Sequence, residues 1–105
     1  MMHDRLRSRL LPQAKAYVES LSQKDKSKVL AGIAALEVGN FALIRTKQLQ
    51  GQVRELIVQK HRITYFTIDS ILYLVRAFTK KTKKTPRVEI EYAAKMYVLL
   101  TKNKV

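Results

Sequence analysis

Basic side chains dominate the chemistry that this sequence can offer, and they concentrate between positions 76 and 87. That stretch has no acidic residue and contains six cationic ones: Arg76, Lys80, Lys81, Lys83, Lys84 and Arg87. Further candidates precede it in the sequence: Arg54, Lys60, His61 and Arg62. Cations grouped without local acids attract polyanions, so we predict a phosphate or nucleic-acid site. The alternative is a solvated loop that only keeps the protein soluble.

Such a cluster contains the groups that RNA cleavage without a metal requires. A base takes the 2′-hydroxyl proton, positive charge stabilises the pentacoordinate phosphate, and an acid protonates the leaving 5′-oxygen. Crowded ammonium groups disfavour one another's charge, so one lysine of the cluster is a candidate base. Arginine stays charged and binds phosphate oxygens through two hydrogen bonds. The composition supports RNA binding more directly than RNA cleavage.

Other kinds of active site find no support in the sequence. The chain has no cysteine, and its two histidines, His3 and His61, are far apart with no carboxylate cluster nearby, so we expect neither a metal site nor a disulfide. The glycines form no phosphate-binding loop or dinucleotide fingerprint, so no cofactor is expected. Asp69 is interpreted as a turn residue, and Glu55 as a strand-surface partner of a neighbouring base.

Two of the cationic candidates have a simpler structural interpretation, and a third, Arg76, does not. His61 is predicted to be a surface turn residue, with an acid or RNA-stacking role as the alternative. Arg62 opens a strand beside a turn, which predicts an exposed position at the rim. Arg76 is predicted to share a strand face with Leu72 and Leu74. A cation surrounded by apolar side chains needs a partner or an anionic ligand.

The apolar periodicity predicts an α+β fold that begins with a helical hairpin. A short helix is predicted over Ala14–Leu21, and a second helix follows a capping box at Ser22–Asp25 and stops at Gly39–Asn40. Residues 5–11 begin with alternating basic and apolar side chains and are a candidate edge strand. The predicted hairpin therefore precedes the main sheet in the chain.

From Val53 onward the pattern becomes that of β-strands. The predicted strands, which form an antiparallel meander, are Val53–Gln59, Arg62–Ile68 and Ile71–Phe78. A polar loop follows, and Thr85-Pro86 is predicted to cap a last helix that docks on the sheet. We thus predict one domain over residues 1–105, with the hairpin packed on a small, mainly antiparallel sheet of three to four strands.

The bulk composition limits the class of protein. With 105 residues, of which 47% are hydrophobic, the chain suits a single modest core, and its net charge of +13 calls for a polyanionic partner. That partner is nucleic acid, a ribosome, an anionic membrane or an acidic protein. No apolar run approaches the ~18 residues of a membrane span, and the start lacks a signal-peptide pattern, so we expect a cytoplasmic protein.

Several motifs in the second half of the chain form a recognisable set. They are VREL at 53–56, RITYF at 62–66, AFTKKTKKTP at 77–86 and EIEYA at 89–93, preceded by YVESL at 17–21 and KDK at 24–26. From about residue 10 to residue 100, the sequence resembles the HigB-like, phage-derived branch of the RelE/ParE toxin superfamily. The KKTKKTP block together with the following helix is the most specific part of the resemblance.

The resemblance implies a RelE-like fold and the toxin of a type II toxin–antitoxin system. Such toxins are typically ribosome-associated endoribonucleases that cut mRNA and are held inactive by an antitoxin. It places Arg62 at the family's strand arginine, which contacts the scissile phosphate, and Lys80 and Lys81 at the basic pair at the end of the sheet. Two positions depart from the pattern: Ile57 stands where arginine is usual, and His61 where tyrosine is usual.

We therefore predict a ribosome-dependent, metal-independent mRNA endoribonuclease that inhibits translation and binds a cognate antitoxin, expected to contain a helix-turn-helix domain. The catalytic candidates are Arg62, Lys80, Lys81 and Lys84. The candidates for RNA binding are Arg54, Lys60, His61, Arg76, Lys83 and Arg87. The alternatives are a ParE-like inhibitor of a protein such as DNA gyrase and a non-catalytic basic nucleic-acid-binding module. Binding to a membrane surface through the last helix is disfavoured, because the charge of its polar face is mixed.

Overall fold

A computed structural model describes residues 5–102 of the chain, with three α-helices and a five-stranded sheet. The elements are β1 Arg7–Leu10, α1 Pro12–Glu19, α2 Gln23–Glu37, β2 Arg45–Gln50, β3 Val53–Val58, β4 His61–Ile68, β5 Ile71–Thr79 and α3 Arg87–Lys102. One 3₁₀ turn, Phe41–Leu43, connects α2 to β2. Within the described residues, no helix is long and apolar enough to cross a bilayer.

The strands lie in the order β1-β5-β4-β3-β2, and only β1 and β5 run parallel. The α+β class, the helical hairpin and the closing helix are confirmed, and the candidate edge strand near the start of the chain is β1. The sheet has one strand more than expected, because β2 was not predicted. Its sequence, RTKQLQ, is almost entirely polar, so this edge strand depends on its pairing with β3 rather than on its own β-propensity.

The helices cover both faces of the sheet and divide the core in two. On one face, here called the hairpin face, α1 and α2 pack on the apolar side chains Leu56, Ile63, Leu72 and Leu74. On the other, the α3 face, Ala93 and its neighbours pack on Val53, Phe66 and Val75. Gly32 lets α2 approach β3 closely, since a Cβ there would lie 3.2 Å from Cγ2 of Val58.

The two helices of the hairpin have the ends that their sequence encodes. Pro12 opens α1, where its missing N–H costs no hydrogen bond. The Ser22 hydroxyl accepts a hydrogen bond from the backbone N–H of Asp25 at 3.2 Å. Past the end of α2, Gly39 adopts a φ of +70°, which favours glycine. The capping box is only half formed, because the Asp25 carboxylate turns to the sheet instead.

A buried polar network ties the hairpin to the end of the sheet. The His61 side chain is 2% exposed, so its predicted position as a surface turn residue is wrong; the turn is formed by Gln59, at a φ of 54°, and Lys60. Nδ1 of His61 lies 2.7 Å from the Tyr17 hydroxyl, and Nε2 lies 2.9 Å from Oδ2 of Asp25. The imidazole thus joins α1 and α2 to the first residue of β4.

This network predicts an acid-sensitive contribution to stability. The hydrogen bond with His61 is the main cause that lowers the pKa of Asp25 below its ordinary value of about 3.9. A lowered pKa in the folded state stabilises the fold above the unfolded pKa, and that contribution is lost as the pH falls through the folded pKa. Asp25→Asn should therefore lower the free energy of unfolding near neutral pH and make less difference in acid.

Urea unfolding of the wild type and Asp25→Asn at about pH 6 and about pH 3, either side of the ordinary aspartate pKa, measures this change. Glu19→Gln, which replaces an exposed carboxylate on α1, is the matched control and should show no such pH-dependent difference. An Asp25→Asn difference that stays constant down to the lower pH would contradict the role given to the network.

Candidate functional site

Helix α3 covers only part of its face of the sheet, and the uncovered part is polar. The strand register places Lys47, Glu55, Thr64 and Arg76 side by side on neighbouring strands β2 to β5. Directly paired residues present their side chains on the same face, so these four form one row across the sheet. Glu55 and Thr64 of this row are buried, whereas Lys47, at the edge of the sheet, is exposed. The accessible part of this end of the face is therefore at the β2 edge.

The centre of this surface is a buried ion pair between Glu55 and Arg62. Glu55 is 2% exposed, and its Oε1 lies 3.9 Å from Nε of Arg62, whose side chain is 11% exposed. Nη1 of Arg62 donates to the backbone oxygens of Gln59 and His61. Within residues 5–102, Nε of Arg62 has no hydrogen-bond partner. Both surface positions expected from the sequence, the rim for Arg62 and the strand surface for Glu55, are wrong.

The loop between β5 and α3 is attached to this pair through Thr85. Its hydroxyl donates to Oε2 of Glu55 at 2.7 Å. The predicted N-cap role of Thr85 is therefore not realised: α3 begins at Arg87, and the backbone oxygen of Pro86 accepts from the N–H of Glu89 at 3.0 Å. This hydrogen bond attaches the basic loop to the buried Glu55 carboxylate.

Arg76 lies on this face because the register between β4 and β5 shifts by one residue. Thr64 pairs with Arg76 while Tyr65 pairs with Leu74, so Val75 is the extra residue of a β-bulge. The bulge turns Arg76 to the α3 face, away from Leu74. The prediction that Arg76 shares a strand face with Leu72 and Leu74 is therefore wrong.

The guanidinium of Arg76 is held by the first turns of α3. Its Nε and Nη2 donate to the Glu89 carboxylate at 3.1 and 3.3 Å, and its Cζ lies 5.0 Å from the centre of the Tyr92 ring. This geometry combines a bidentate ion pair with a cation–π contact. Arg76 therefore fixes the start of α3 beside the open surface.

A cationic cleft lies between strand β2 and the basic loop, with a volume of about 570 Å³. Its basic side chains are Lys47, Lys84 and Arg87, and Gln48, Thr82 and Thr85 also line it. Lys47 was missed in the sequence because β2 was missed; the pairing of Lys47 with Glu55 is what brings it here. The cleft and the Glu55–Arg62 pair meet at Thr85, which contacts both. We call this combined surface the basic cleft.

The remaining candidates fall into three groups. Lys60 and Lys80 meet at one end of the sheet, where the Lys80 N–H donates to the Lys60 oxygen at 2.8 Å. Lys81 and Lys83 are exposed in the loop next to the basic cleft. Arg54 and His61 lie on the hairpin face instead: Arg54 pairs with Tyr65 of that core and donates to Thr46 at 3.2 Å, and His61 is buried under the helices.

The described residues contain no group of His, Asp and Glu side chains able to hold a metal ion. The basic cleft offers one buried carboxylate, the Arg62 guanidinium and the exposed ammonium groups of Lys47 and Lys84. Such a site can bind phosphate oxygens, accept a proton and donate one.

Comparison with known proteins identifies the family and the fold. The family model described as Phage derived protein Gp49-like (DUF891) matches residues 16–98. No curated protein sequence matches the chain. A chain of the crystal structure of the archaeal RelE–RelB complex from Pyrococcus horikoshii OT3 superposes with a TM-score of 0.59 at 13% identity, over 71% of this chain and 94% of that one. The chain belongs to the Gp49-like phage-derived family, and it shares its fold with a chain of the archaeal RelE–RelB complex.

Proposed function

We propose that this protein is the toxin of a toxin–antitoxin system and that it cleaves mRNA on the ribosome without a metal ion. The observation that carries the proposal is the Glu55 carboxylate, buried against Arg62 and joined through Thr85 to the lining of a cationic cleft. A cleft that only bound RNA would need the cations and not the carboxylate, which costs free energy to bury and repels the RNA backbone. Membership of a RelE-like toxin family supports the same activity.

We assign each step of the reaction to a different residue of the basic cleft. Oε2 of Glu55 accepts from Thr85, whereas Oε1 has no hydrogen-bond donor among the described residues and can accept the 2′-hydroxyl proton. The 2′-oxygen then bonds to phosphorus and the bond from phosphorus to the 5′-oxygen breaks. Arg62 stabilises the charged phosphate, and an ammonium group of the loop, with Lys84 the first candidate, protonates the leaving oxygen. The products are a 2′,3′-cyclic phosphate and a 5′-hydroxyl.

This assignment changes the role expected for the lysines. The sequence suggested a lysine of the cluster as the base. We assign the proton acceptor to Glu55 instead, because a carboxylate has lone pairs that accept a proton, whereas an ammonium group has protons to donate. Lys80, Lys81 and Lys83 lie in or beside the same loop and remain candidates for contacts with the RNA backbone. Glu55 is almost fully covered, so RNA must displace part of loop 80–86 to reach it.

An antitoxin completes the proposal. The neighbouring fold comes from a RelE–RelB complex, and a chain with a net charge of +13 attracts an acidic protein as strongly as it attracts RNA. We propose that an antitoxin holds this chain inactive in the cytoplasm until the antitoxin is removed.

The catalytic assignment predicts a loss of cleavage under conditions where the variant is still folded. Glu55→Gln keeps the shape of the side chain and should slow mRNA cleavage by about 10²- to 10⁴-fold, because it removes the proton acceptor. Lys84→Gln should also slow cleavage, whereas Lys24→Gln, an exposed lysine on α2, should not. Primer extension on ribosome-bound mRNA gives the rates, and circular dichroism checks the fold. Growth arrest by the wild type with intact transcripts would instead favour a protein target.

The attachment of the loop predicts a specific stability change. Thr85→Val removes the hydroxyl that satisfies Glu55 and should lower the free energy of unfolding by about 1–3 kcal/mol, the usual cost of leaving a buried polar group without its partner. Thr82→Val is the matched control, since the Thr82 hydroxyl bonds only to the exposed backbone oxygen of Lys84. Urea unfolding of both variants measures the difference. Equal values for the two would mean that the Thr85 bond does not stabilise the loop.

The basic cleft also predicts the salt dependence of RNA binding. Removing one cation that binds a phosphate should reduce the slope of log Kd against log salt by about 0.7 for single-stranded RNA. Lys84→Gln with Arg87→Gln should therefore reduce it by about 1.4, while Lys15→Gln on α1 should leave it unchanged. Fluorescence anisotropy with a short labelled RNA gives the slopes. An equal reduction in the Lys15 variant would indicate binding by overall charge rather than at the cleft.

A further inference from the structure

A second concave surface lies away from the basic loop and has a different chemistry. It is an apolar groove of about 480 Å³ between helix α2, the 3₁₀ turn and the end of strand β3. Its apolar lining includes Ala31, Gly32, Ala35, Leu43, Ile57 and Val58. The cations Lys28 and Arg45 also line it, and no acidic residue does. Neither the fold nor the proposed RNA chemistry requires this surface.

The apolar surface of the groove continues onto exposed side chains next to it. Leu43 is 74% exposed and Phe41 is 58% exposed, both in the 3₁₀ turn, and Val38 just after α2 is 54% exposed. Apolar side chains that are single and scattered are ordinary on a protein surface, but a group adjoining a groove indicates a binding site for another macromolecule.

The shape and charge of the groove favour a helix with acidic flanks. The wall formed by α2 has only the small side chains Ala31, Gly32 and Ala35, so the backbone of a partner helix can approach closely. The charged residues that line the groove, Lys28 on α2 and Arg45 at the start of β2, are both cationic. An apolar centre with a charged rim is the usual anatomy of a protein–protein interface. RNA offers no apolar side chain to fill such a floor.

We propose that this groove binds the antitoxin through an amphipathic helix, whose apolar stripe packs on Leu43 and Val58 and whose acidic side chains meet Lys28 and Arg45. The inference rests on the proposed toxin function and adds the face that the partner uses. The antitoxin is thereby anchored by apolar contacts outside the basic cleft.

The test uses the full chain and the protein encoded by the reading frame next to its gene, with affinity measured by isothermal titration calorimetry. Leu43→Asp should weaken binding at least tenfold, because it places a charge in the apolar floor, and Lys28→Glu should weaken it by repelling the acidic flank. The matched controls on the exposed side of α3, Leu99→Asp and Lys95→Glu, should bind as the wild type does. Leu43 is largely exposed, so its variant should fold normally.

The same variants separate this inference from the proposed function. Leu43→Asp should still cleave mRNA and arrest growth, but co-expression of the neighbouring protein should no longer relieve the arrest. Wild-type affinity in Leu43→Asp, loss of affinity in Leu99→Asp, or no binding by the wild type would each overturn the inference. A dimer of the free chain that Leu43→Asp separates would also overturn it, by assigning the groove to a second copy. If the wild type does not cleave mRNA, in contrast, that result contradicts the proposed function and not the assignment of the groove.

Discussion

The buried carboxylate of Glu55 is the constraint on which the open side of the molecule depends. A carboxylate removed from water is stable only when charges and donors compensate for its lost hydration. Here the compensation comes from separate parts of the chain: Arg62 on β4, Thr85 in the basic loop and, next in the strand register, Lys47 on β2. The sheet, its edge strand and the loop are consequently held in one arrangement around a single charge.

This constraint also explains why α3 leaves a cleft. The row of polar side chains that contains Glu55 cannot be covered by the apolar stripe of α3, so the helix packs farther along on Phe66 and Val75. The Arg76 ion pair to Glu89 and its contact with Tyr92 fix the start of the helix at the border between the two regions. The apolar half of the face provides stability, and the polar half is exposed at Lys47 on the edge of the sheet while Glu55 and Thr64 are buried.

Sequence patterns were sufficient for elements whose apolar periodicity is strong, and insufficient where pairing decides. The hairpin, the meander and α3 followed from spacing alone. Strand β2 did not, because a polar edge strand exists only through its hydrogen bonds with β3, and Lys47 was missed with it. Alternation alone also cannot place a bulge, which is why Arg76 was assigned to the wrong face. The burial of Glu55 and His61 depends on which helix lies above each strand, which local sequence does not encode.

The charge balance of the chain links the two surfaces that we propose to be functional. Eight acidic residues cannot neutralise 21 basic ones, so the excess must be met by other molecules. RNA can meet it at the basic cleft, where the floor is polar, but not in the groove beside α2, where the floor is apolar. Both surfaces share the β2–β3 edge of the sheet: Arg45 and Ile57 line the groove and lie in the same cross-strand row as Arg62. A protein seated in the groove is therefore close enough for its acidic segments to compete with RNA for the neighbouring cations, so inhibition does not require it to fill the cleft.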